Sequence, residues 1–154
     1  KYISIAGAGE EIDKTLIRQL SNQNIEIGKT AKAHFEELKK TGTVSKIDPN
    51  LIGIFAKPNQ DFWLSWIKLN PLKEIKEVKI PTLILNGDKD LQVLIADAEA
   101  LKKAKSDAEY VIIKNMNHVL KDINNEEDNM KSYYSADFEI SKKLIETIVS
   151  FVKK

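Results

Sequence analysis

Val78-Lys79-Ile80-Pro81-Thr82-Leu83-Ile84-Leu85-Asn86-Gly87-Asp88-Lys89-Asp90 is the stretch that decides the fold class. Thr82 to Leu85 is mostly apolar, does not alternate, and is closed by Asn-Gly-Asp. A run this short predicts a strand buried on both faces, as in a parallel sheet. Downstream, Ile95 to Lys105 sets Ala98, Leu101 and Ala104 on one face and predicts a helix. Tyr110 to Ile113 is a second buried-strand run, ended by Lys114-Asn115-Met116-Asn117-His118. Upstream, Tyr2 to Ala6 is strand-like and stops at Gly7-Ala8-Gly9. Ile140, Leu144, Ile148 and Phe151 mark a terminal amphipathic helix. This alternation predicts an α/β fold with about three parallel strands and flanking helices.

Between the first two strands the pattern is helical. Ile12, Leu16 and Leu20 share one face, Asn22 to Asn24 loosen the stretch, and Gly28 is expected to break it. Lys29 to Lys40 predicts a second helix, stopped at Gly42. Asp48-Pro49 is a helix-start signal before Leu51 to Ala56. Lys57-Pro58-Asn59 is expected to turn. Gln60 to Leu69, with Phe62, Trp63 and Trp66, predicts a strongly apolar helix ended by Asn70-Pro71. That is too much chain for a simple crossover, so residues 10–77 are expected to be an inserted helical cap on a core of 1–9 and 78–154. His34, among Lys32, Glu36 and Glu37, is expected on the surface. Asp122 to Asn129 is acidic and Asn-rich, and is expected to be a solvated loop.

Composition narrows the function. The 154 residues are 42% hydrophobic and 31% charged, with 24 basic against 23 acidic side chains and a formal charge of +1. This near-neutral balance lacks the one-signed field of a nucleic-acid or membrane-surface protein. Arg18 is the sole arginine, which further disfavours phosphate recognition. Without cysteine there is no disulfide, thiolate nucleophile or Cys-based zinc site. His34 and His118 are too few for a His-rich metal site, and no apolar run is long enough to span a bilayer. The compartment, cytoplasm or bacterial envelope, stays open.

Functional groups of open α/β sheets gather at the carboxyl ends of strands. Those ends carry Gly7-Ala8-Gly9, Gly87-Asp88-Lys89-Asp90 and Asn117-His118. A buried Asp that accepts a hydrogen bond from one His nitrogen fixes the ring's tautomer and stabilises the imidazolium formed in catalysis. Spacing alone leaves Asp88 and Asp90 both open as that acid, and either could instead be a turn or capping carboxylate. The bland alternative for His118 is a loop residue bonded to backbone. Gly7-Ala8-Gly9-Glu10-Glu11-Ile12 is rejected as a dinucleotide motif: its third glycine is Ile12, and Glu10 and Glu11 would meet the pyrophosphate.

The run Ile80 to Val93, followed by Asn117-His118, resembles the C-terminal part of an α/β-hydrolase. It is most similar to the lysophospholipase or serine-aminopeptidase-like branch of that superfamily. The resemblance implies that Asp90, in a Gly-x-x-Asp turn, is the triad acid and that His118 is the general base. Tyr2 to Gly9 resembles the strand after the nucleophile helix, the insertion resembles the family's cap, and Asn59 to Pro71 resembles the run before the acid strand. The likeness thus covers nearly the whole chain. In such a cap Phe62, Trp63 and Trp66 could line an acyl-binding cleft. The implied substrate is a small-molecule ester or acyl compound, and no metal or organic cofactor is called for.

One departure is decisive. The family nucleophile sits in a Gly-x-Ser-x-Gly elbow upstream of the acid and the His. None of Ser4, Ser21, Ser45, Ser65, Ser106, Ser132, Ser135, Ser141 and Ser150 has that context. Lys1 also begins within a strand-like run, which suggests a processed or truncated chain. The expectation is a C-terminal hydrolase fragment, inactive alone. The alternative is a non-catalytic half-fold that self-associates, as a homodimer or other homo-oligomer, through the exposed first strand.

Overall fold

Every residue from Thr82 to Gly87 is buried, and together they form the central strand of a three-stranded sheet. The structure, a computed structural model, describes residues 1–154. Its strands are β1 (Tyr2–Ile5), β2 (Thr82–Gly87) and β3 (Glu109–Ile113). The helices are α1 (Ile12–Gln23), α2 (Ile25–Thr41), α3 (Ile52–Phe55), α4 (Lys57–Trp66), α5 (Pro71–Glu77), α6 (Ile95–Ala104), α7 (Glu126–Lys131) and α8 (Lys142–Lys153). The sheet is parallel throughout, in the order β1-β2-β3, with Ile5 beside Leu85 and Gly87 beside Ile113. The fold is therefore α/β. No helix is long and apolar enough to cross a membrane.

The pleat explains why β2 does not alternate in polarity. Leu83 and Leu85 join Ile113, Met116, Leu144 and Phe151 in one cluster, which brings α8 onto that face. Ile84 joins Ile75, Ala98, Leu101 and Ala108 in another, which brings α5 and α6 onto the opposite face. Successive side chains point to opposite faces and both faces are covered, so every position favours an apolar residue. Each fully buried Leu or Ile stabilises the unit by roughly 1.5–3 kcal/mol.

The chain divides into two compact units, residues 1–9 with 71–154, and residues 10–70. Pro71–Glu77, expected with the insertion, instead packs Ile75 into the sheet unit. In the helical unit α2 does not break at Gly28. Asn24 caps it, accepting hydrogen bonds from the N–H groups of Glu26 (2.9 Å) and Ile27 (3.2 Å). Gly28 then lies against α1, where a Cβ would fall on Ser21 Oγ, 2.7 Å from its Cα. This glycine serves close helix packing, not termination. Pro58 likewise sits in the first turn of α4, where its missing N–H is harmless.

His34 is not a surface residue. It is 8% exposed, its Nε2 accepts the Asp48 N–H at 3.0 Å, and its ring meets Phe55 edge-on. Lys32 and Glu36 are exposed on the other side of α2, while Phe35, Leu38 and Ala31 fill the core with Phe55 and Leu51.

Glu11, at the start of α1, holds Lys14 at 2.7 Å and accepts a 2.7 Å bond from Asn70 Nδ2. The Lys14 ammonium foremost, then backbone and Asn70 donors, hold its carboxyl well below the usual range, at about 2 against 4.5. The folded state favours the charged form, so this stabilisation is full above about pH 4.5 and is lost as pH falls through about 2. Glu11→Gln is expected to destabilise the helical unit by about 1 kcal/mol at neutral pH. The difference from wild type should shrink as melts are taken from neutral pH toward 2 and vanish only below about pH 2.

Candidate active site

The carboxyl ends of β2 and β3 carry two loops that are fastened together. The Asp88 N–H donates to the Ile113 carbonyl at 3.2 Å, and the Lys89 N–H to the Met116 carbonyl at 3.0 Å. Gly87 sits so close to Met116 that a Cβ would lie 2.5 Å from its carbonyl carbon. Asp88 Oδ1 accepts the Asn115 N–H at 2.6 Å. That bond anchors Asn115, whose φ of 66° is the left-handed conformation Asn tolerates. Asp88 thus serves the loop's architecture, and Asp88→Ala is expected to cost about 1 kcal/mol by denaturant melt, with the His118 contact to Asp90 retained.

Asp90 and His118 meet. The His118 Nδ1 lies 2.9 Å from Asp90 Oδ2. Asp90 Oδ1 accepts the N–H groups of Gln92 (2.8 Å) and Val93 (2.9 Å), so the carboxylate faces three donors. Its side chain is fully buried, whereas that of His118 is 30% exposed. A carboxylate oxygen can only accept, so Nδ1 carries a proton, and in the neutral ring Nε2 presents its lone pair. Nε2 makes no hydrogen bond within the chain, and none of the serines approaches it as a partner. The arrangement can hold an oriented imidazole and move a proton at Nε2.

Supporting groups surround the pair. Asn86 Nδ2 donates to the Val93 carbonyl at 3.0 Å and closes the acid loop. Gln92 Nε2 donates to the Tyr133 hydroxyl at 3.2 Å. Burial pushes the Tyr133 phenol up; the Gln92 bond opposes this and the nearby Asp90 charge adds to it. In the His loop Leu120 holds a φ of 65°, a strained value for a bulky residue. Its backbone is fixed by bonds to Asn117 and Ser141.

The stretch expected to be a solvated loop is partly built into the site. Glu126–Lys131 is helical, and Ile123, Asn129 and Ser132 are buried. Composition concealed this because charged residues flank the few that turn inward. The aromatic residues lie in the helical unit. Trp63 stacks on Trp66, with ring centroids 5.8 Å apart, and donates from Nε1 to the Ile54 carbonyl at 2.7 Å. Phe62 and Trp66 are exposed, while Trp63 packs on the core. No three His, Asp or Glu side chains converge to hold a metal ion. No protein-family model and no curated protein matches the chain.

Proposed function

We propose that the sheet unit is the acid–base portion of a serine-dependent α/β-hydrolase acting on an ester or related acyl substrate. The single observation that carries this reading is the buried Asp90 carboxylate on His118 Nδ1 with an unengaged Nε2, at the carboxyl end of a parallel sheet. In the proposed reaction a serine outside these 154 residues attacks the substrate carbonyl as His118 Nε2 takes its hydroxyl proton. The imidazolium, stabilised by Asp90, then gives that proton to the leaving alcohol oxygen as the acyl C–O bond breaks. Water repeats the cycle on the acyl-enzyme and frees the acid and the serine.

The test is covalent labelling with a fluorophosphonate. The natural polypeptide as expressed from its own gene should be labelled on a serine, with labelling abolished by His118→Ala. The purified 154-residue chain should not be labelled. Stoichiometric labelling of that chain, or His118-independent labelling of the natural polypeptide, would overturn the proposal.

A further inference from the structure

The segment following the His loop returns to the site and bonds to both of its loops. Asn129 Nδ2 donates to the Lys89 carbonyl at 2.9 Å, and Lys89 immediately precedes Asp90. Asn129 Oδ1 accepts from Asn117 Nδ2 at 3.0 Å, and Asn117 immediately precedes His118. One side-chain amide therefore spans the two residues next to the pair.

The bracing is closed on all sides. Asn117 Nδ2 also reaches Ser132 Oγ at 2.7 Å, and Ser132 Oγ donates to the Asn129 carbonyl at 2.7 Å. Asn117 Oδ1 accepts the Lys121 N–H at 3.1 Å. The Asn117 N–H and carbonyl are taken by Lys121 and Leu120, and the Lys89 N–H by Met116. Lys121 Nζ holds the far side of the segment through the carbonyls of Ser132 and Ser135, at 2.7 Å each. Asn117, Asn129 and Ser132 are all 5% exposed or less. Burying three polar side chains is unfavourable unless each is satisfied, and a satisfied cluster is rigid because no water can replace a broken bond.

We propose that Asn129 is a positioning residue for the Asp90–His118 pair, a cross-brace that fixes the separation of the acid loop and the His loop. The proposal rests on the hydrolase reading only for the use to which the pair is put. Asn129 touches neither reacting nitrogen and acts through Lys89 and Asn117. Without it the two loops stay joined near the strands through the Asp88–Ile113, Lys89–Met116 and Asp88–Asn115 bonds, but their outer parts, which carry Asp90 and His118, lose the side chain that ties Lys89 to Asn117. A 2.9 Å contact on Nδ1 tolerates little movement of those parts.

The readout is the imidazole Nδ1 proton, observed by NMR in the 15N-histidine-labelled 154-residue chain. Its resonance is assigned by its loss in His118→Gln, and His34 in the other unit serves as internal control. Wild type should show a hydrogen-bonded His118 Nδ1 proton. In Asn129→Ala its exchange with water should accelerate about tenfold, the scale of one net hydrogen bond, with His34 unchanged. Asn129→Asp keeps the volume and the acceptor toward Asn117 but removes the donor to Lys89, so it should shift exchange in the same direction. It decides the matter if the alanine variant does not fold. Wild-type exchange in a folded variant would overturn the brace. An absent Nδ1 proton in wild type would overturn brace and hydrolase reading together. A brace-dependent proton alongside His118-independent fluorophosphonate labelling would overturn the hydrolase reading alone.

Discussion

Gly87→Ala is expected to destabilise the sheet unit by about 3 kcal/mol or more and to separate Asp90 from His118. The added Cβ would fall on the Met116 carbonyl, 2.5 Å from its carbon and 3.0 Å from its Cβ. The obstacle is backbone, which cannot rotate away as a long side chain can. Met116 is fully buried and its carbonyl already accepts the Lys89 N–H, so yielding would break that bond and disturb the Leu83–Leu85 cluster. The acid loop would have to move as a whole, three residues before Asp90. Gly53→Ala is the matched control: nothing lies within 4 Å of its Cβ position, and alanine favours the short helix α3 that holds it. Urea melts should show a large drop in midpoint for the first and none for the second. An unchanged midpoint for Gly87→Ala would mean the two loops are not in contact as described.

Gly87 also marks how far the sequence could be read. The non-alternating run at Thr82 predicts β2 because two-sided burial leaves an apolar residue at each pleat position, a local signal. The candidate pair was legible because loops after neighbouring parallel strands open at the same end of the sheet. Choosing between Asp88 and Asp90 was not, on spacing alone. That choice depends on which carboxylate turns toward His118 and which toward the Asn115 N–H, a matter of loop conformation. Gly28 misled because a glycine kept for close packing and one ending a helix are identical letters. His34 and Asn129 misled for a related reason: each sits among charged neighbours, yet its own direction puts it inside. Only partners distant in sequence, Asp48 and Phe55 for one and Lys89 for the other, reveal it.

On the proposed hydrolase reading, Asp90→Asn is expected to leave the fold nearly intact and to reduce ester hydrolysis by the natural polypeptide on the order of 10⁴-fold, the scale of a mis-set tautomer in a Ser-His-Asp triad. The loop determines how the amide turns. The N–H groups of Gln92 and Val93 both point at the Oδ1 position, so the amide oxygen must take it. The amide NH₂ is then left facing His118 Nδ1. Two donors cannot share that contact, so Nδ1 must accept and the ring proton moves to Nε2. An Nε2 that already bears a proton cannot take one from a serine. Asp90→Ala differs, because it leaves the Gln92 and Val93 N–H groups without their acceptor and should cost about 2–3 kcal/mol of stability as well. The 15N shifts of His118 in the 154-residue chain report the tautomer directly. Turnover of a simple ester by the natural polypeptide reports the consequence. A switched tautomer with activity within tenfold of wild type would show that Nε2 does not serve as the base. An unswitched tautomer would show that the two loop donors do not hold the amide as the geometry requires.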